Sequence, residues 1–158
     1  MTNEQKQEFT RRITQAGPGA MIVILYDMEL VYLTDAKEAL TKGDEQVFRT
    51  QIHAAQDVLQ ELLQNLHLEY EPASHLLELY LFFHKQLTQA LVEKTAAPID
   101  HVTRQITALK DAYDQVLKDV EEEPLMEHAQ EVYSGLTYGK GAVGEETLNY
   151  DPQRGFRA

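Results

Sequence analysis

The thirteen residues from Met21 to Leu33 carry only two charges, Asp27 and Glu29, in a chain whose apolar residues otherwise recur at helical spacing. Pro18 suits the first turn of a helix and Gly43 a left-handed cap, so the segment between them is predicted to be one helix. At about 100° per residue, Ile22, Tyr26, Leu33, Ala36 and Leu40 fall on one side of it and Met21, Ile24, Met28 and Val31 on another. An apolar arc that broad needs cover from several directions. It fits the central helix of a bundle, or one that keeps an extra face for a partner.

Three further helices follow from the same periodicity. Gly43-Asp44 reads as a stop followed by an N-cap, and Phe48, Ile52, Ala55, Leu59, Leu62, Leu63 and Leu66 then step by three and four. Pro72 sets a boundary. From about Ala73 to Lys94 the main stripe is Leu76, Leu79, Tyr80, Phe83, Leu87 and Leu91, and Leu77, Leu81 and Phe82 overflow it. Pro98 and Asp100 start a helix with a single heptad-like face of Val102, Ile106, Leu109, Tyr113, Val116 and Val120. Leu125 to Tyr133 could form a short fifth helix. With no strand signal and no internal repeat, the expectation is an all-α fold: an antiparallel up-and-down four-helix bundle over residues 17–134. Residues 1–16, polar except for Phe9, Ile13 and Ala16, are expected to be a frayed helix or a weakly docked arm. Residues 135–158 hold five glycines and Pro152, the composition of a flexible tail.

Composition narrows the function. At 158 residues and 43% hydrophobic content the chain suits one domain with one core. A net charge of -12 argues against nucleic acid or an anionic membrane as partner, since both reward clustered Lys and Arg. There is no cysteine, which removes disulfides and thiolate chemistry and is compatible with a reducing cytosol. The beginning of the chain lacks the apolar core of a signal peptide and no run suggests a membrane span, so a soluble cytoplasmic protein is expected.

Catalytic and metal motifs are not apparent. A di-iron bundle needs Glu-x-x-His pairs, and no glutamate stands three residues before a histidine. Ser74 and Ser134 lie in no nucleophile motif. His84-Lys85 raises the alternative of a signalling bundle, either a histidine phosphotransfer or a regulator-binding module, although a histidine bordering an apolar face is more often structural. No enzyme activity and no cofactor are expected. Tyr26, Tyr32, Tyr80 and Tyr113 recur on apolar faces, where ring packing with the hydroxyl reaching the surface is the plain expectation. The surplus apolar surface of the first and third of these helices, over 18–42 and 73–94, instead suggests a groove for an amphipathic helix.

The order of motifs resembles the FliS family of flagellar secretion chaperones. Ala16-Gly17-Pro18-Gly19 leads into Val23-Ile24-Leu25-Tyr26-Asp27, followed by Ala36-Lys37-Glu38-Ala39 and Gly43-Asp44. Ala55 to Leu62, Leu79-Tyr80 through Leu87 and Ala90, and Leu109 to Tyr113 continue the series, so that the likeness covers about residues 13 to 118. Gly17, Ala20, Met28, Lys85-Gln86 and Tyr113 depart from the family pattern. The resemblance implies a non-enzymatic cytoplasmic chaperone that binds the disordered C-terminal segment of flagellin, blocks premature polymerisation and delivers it to the flagellar type III export gate. It also implies an N-terminal segment able to cover an empty groove. The residues expected to meet the partner are Phe9, Ile13, Leu25, Tyr26, Glu29, Leu77, Tyr80, Leu81 and Phe82.

Overall fold

A computed structural model describes residues 1–67, 72–120 and 124–126. Five helices form: α1 (Asn3–Thr14), α2 (Pro18–Lys42), α3 (Glu45–Gln64), α4 (Ala73–Glu93) and α5 (Ala97–Leu117). Their ends follow from local chemistry. Pro18 opens α2 where its missing N–H costs nothing, and Gly43 closes it at φ 72°, a left-handed conformation that glycine adopts without a Cβ penalty. The next residue, Asp44, caps α3, its carboxylate accepting from the Val47 N–H at 3.0 Å. Pro98 lies in the first turn of α5.

Helices α2 to α5 make a bundle in which each packs on the next and α5 returns to α2. Neighbouring helices run in opposite directions. Lys94, which caps the end of α4, pairs with Glu45 at the start of α3, and Lys37 near the end of α2 pairs with Asp100 at the start of α5. The core is Tyr26, Leu33 and Ala36 of α2, Phe48, Ile52, Ala55, Leu59 and Leu62 of α3, Tyr80, Phe83 and Leu87 of α4, and Ile99, Val102 and Ile106 of α5. Apart from Ile99, these residues lie on the stripes expected from periodicity, and the main architecture is the expected all-α bundle. On α5 the stripe outlasts the core: Val116 and Val120 are exposed, and the helix ends before Val120. One polar bridge crosses the interior edge, where Gln56 Nε2 of α3 donates to Thr88 Oγ1 of α4 at 2.9 Å.

The N-terminal segment docks through Phe9, Ile13 and Ala16, as expected of an arm, and is an ordered helix rather than a frayed one. It is a capped helix, with Thr2 accepting from the Gln5 N–H and the Gln5 side chain accepting from the Thr2 N–H. Among the described helices, α1 packs on α2 alone. No helix among the described residues is long and apolar enough to cross a membrane. Most of the expected fifth helix and all of the tail from 135 lie outside the described residues.

Candidate functional site

Two surfaces around α2 carry the features that a partner site needs. The first is the outer face of α2, turned away from the four-helix core. Ile24 is buried there against Phe9 and Ala16, with Ile13, Ala20, Met28 and Val31 packed around them. This is the second half of the broad apolar arc, and an amphipathic helix, α1, already covers it. Arg12 fastens the cover. Its guanidinium lies 5.6 Å over the Phe9 ring and donates to Asp27 Oδ2 at 2.7 Å, while Lys110 Nζ of α5 reaches Asp27 Oδ1 at 2.8 Å. Asp27 thus ties α1 and α5 to α2, and its carboxylate pushes the Lys110 ammonium pKa up.

The second surface is a cleft of about 440 Å3 at the end of the bundle where α2 and α4 begin and α3 and α5 end. Met21, Ile22, Leu66, Leu76, Tyr80 and Tyr113 make its apolar wall, and Leu125 stands at its edge. Behind that wall the tyrosines form a closed cluster. The Tyr26 and Tyr80 hydroxyls are 2.5 Å apart, and Tyr113 meets the Tyr26 ring edge-on with centroids 5.7 Å apart. Burial pushes the Tyr80 hydroxyl up to about 12 and that of Tyr26 further up, so near neutral pH both keep their protons and one donates to the other. The expectation that each tyrosine hydroxyl reaches the surface is corrected for this pair: Tyr26 is wholly buried, and the two hydroxyls satisfy each other inside.

The expected partner residues do not share one groove. Leu25, Tyr26, Glu29 and Tyr80 are buried in the four-helix core. Phe9 and Ile13 lie between α1 and α2. On α4, Leu81 is 54% exposed and Phe82 42% exposed, with Leu77 half-buried. These three split between two flanks. Leu77 and Leu81 share helical phase with Thr88, which bonds to α3, whereas the Phe82 ring packs edge-on against His101 of α5 with centroids 5.7 Å apart. Helical spacing alone groups them as overflow, because it does not say on which side each neighbouring helix lies.

Glu29, expected to meet the partner, is instead completely buried, and neither carboxylate oxygen has a hydrogen-bond partner among the described residues. Desolvation pushes its pKa well above the usual carboxylate range. His84, the residue behind the signalling alternative, is exposed on α4, and its backbone carbonyl accepts from Thr88 Oγ1 at 3.1 Å. Among the described residues no three acidic or histidine side chains group to hold a metal ion.

Sequence reasoning passed over Arg12, Asp27 and Lys110. The available signal was positional: Asp27 follows Tyr26 by one residue, about 100° around the helix and away from the core, where a carboxylate must face solvent or a cation. It also passed over Thr2 and Gln5, whose three-residue spacing is that of a capping box.

Comparison with known proteins gives this architecture a lineage. The family model described as Flagellar protein FliS matches residues 1–120. The chain is also 24% identical over 106 residues to the Flagellar secretion chaperone FliS of Bacillus subtilis (strain 168), a match covering 67% of this chain and 80% of that relative. Because the family match takes in α1 and the whole bundle, the chain belongs to the FliS family.

Proposed function

We propose that this chain is a flagellar export chaperone that binds the disordered C-terminal segment of flagellin in the cytoplasm, prevents its premature polymerisation and passes it to the type III export gate. Membership of the FliS family and likeness to a protein named as a secretion chaperone support the general role. The observation that carries the finer reading is the outer face of α2, an apolar strip outside the four-helix core on which an amphipathic helix is already seated. Such a strip suits a client helix with apolar residues at three- and four-residue intervals. Exposed Leu81 and Phe82 offer further contacts around the bundle, and a disordered client can wrap surfaces that face different ways. The ordering cost that accompanies such binding keeps the complex releasable, as export requires.

The test is calorimetric titration of the full chain with a peptide spanning the C-terminal segment of flagellin. Saturable binding with a large negative heat-capacity change and a gain of helix in the peptide is the expected result. If the peptide is not retained, while a phosphorylated response regulator transfers its phosphoryl group to His84, the signalling reading replaces this one.

A further inference from the structure

The family match ends at residue 120, yet the chain continues to 158. The described part of that extension, residues 124–126, does not leave the bundle. The Leu125 N–H donates to the carbonyl of Ala16 at 2.8 Å, in the turn between α1 and α2, and the Leu125 side chain lines the apolar cleft. The cleft is therefore larger than its one anchored occupant needs: Leu125 is still 53% exposed, and the space of about 440 Å3 lies within the ~300–1,000 Å3 of pockets that enclose sizeable ligands.

We infer that the end cleft is a self-docking site, filled by the apolar side chains that follow Leu125 in this chain's own C-terminal extension. Three observations select this occupant. The extension starts at the cleft edge, held by a backbone hydrogen bond, and 32 residues remain beyond residue 126. Met126, Ala129, Tyr133 and Leu136 then step by three, four and three, and of the residues between them Glu127, His128, Gln130, Glu131 and Ser134 are polar while Val132 is apolar, the pattern of a segment with one main apolar face. Finally, a tether this short presents those side chains at ~millimolar effective concentration, so weak apolar contacts suffice to fill the cleft without a partner. The inference stands whether or not flagellin is the client.

The chain has no cysteine, so Ser134→Cys creates a single site for a nitroxide spin label in the full-length protein. Methyl resonances of Ile22 and Leu76 should lose most of their intensity, those of Val92 at the opposite end of α4 should not, and the ratio should be unchanged on dilution. Adding Leu125→Asp, a change at a half-exposed position that leaves the amide spectrum of the bundle intact, should restore the Ile22 and Leu76 signals. Undiminished Ile22 and Leu76 signals in the labelled chain would leave the cleft open for another protein and overturn the inference. Broadening that grows with protein concentration would overturn it too, by assigning the cleft to a second copy of the chain.

Discussion

At the scale of single residues, two buried polar groups in α2 make opposite demands. Tyr26 and Tyr80 satisfy each other, so removing one hydroxyl strands the other in an apolar setting. Tyr26→Phe should cost about 1–3 kcal/mol in urea denaturation, and the Tyr26→Phe/Tyr80→Phe pair clearly less than the sum of the single changes. Strictly additive losses would mean that the hydroxyls do not depend on each other. Among the described residues Glu29 has no such partner, and it sits among the core residues Leu25, Tyr26, Leu33 and Ala36 of its own helix. Its folded-state pKa is raised, so as pH climbs above the unfolded value near 4.5 the native state keeps a proton that the unfolded state releases. Native stability from this group is thus complete on the acid side and is lost as pH rises through the raised pKa. As pH rises above about 4.5 the wild type should lose stability relative to Glu29→Gln, and parallel curves would sink the idea. Glu29→Leu should be more stable than the wild type near neutral pH, since it replaces an unpartnered buried carboxyl with a side chain the core accepts.

At the scale of elements, the helices that build the bundle are legible from the sequence because their signals are local and agree. Pro18, Gly43, Asp44 and Pro98 mark ends, and stripes such as Phe48, Ile52, Ala55 and Leu59 mark faces. The state of α1 is not legible in the same way. Its composition is polar, and what stabilises it is tertiary: Phe9 in a shallow apolar seat and Arg12 on an aspartate fifteen residues away. Most of the candidate site shares that difficulty, since whether Leu77 and Phe82 belong together depends on where α3 and α5 lie. The Arg12 contacts are partly exposed, so the ion pair contributes about 0.2–1 kcal/mol and the ring contact about 0.5–1. Arg12→Ala should therefore raise the detached population of α1 roughly three- to thirtyfold, seen as faster amide exchange in α1 with α3 unchanged. If the client uses the strip beneath α1, its apparent affinity should rise by a similar factor, because the covered fraction no longer competes. Faster exchange with unaltered affinity would place the client elsewhere.

At the scale of the whole molecule, a ring of four helices with its core filled by one stripe from each leaves no interior space for a client, so recognition has to occur around the outside. The outward apolar residues face different ways: the strip under α1, the flank of α4 with Leu77 and Leu81 beside α3, and the flank with Phe82 beside α5. A partner that filled one groove would use one of these. A flagellin segment that folds as it binds can use all of them, in the manner of a belt. Substitutions on the exposed flanks should barely touch stability, within about 0.5 kcal/mol for surface positions, because no core stripe is altered. Leu77→Ser/Leu81→Ser and Phe82→Ser should each weaken binding of the flagellin segment, with the urea midpoint nearly constant. Since the two flanks lie on opposite sides of α4 and share no described contact, their effects should combine additively in free energy, the triple variant losing the product of the two fold-changes. Titration of the three variants with one peptide decides it. A loss confined to a single flank would reduce the belt to a groove, and a lowered urea midpoint for Leu77→Ser/Leu81→Ser would return those leucines to the core.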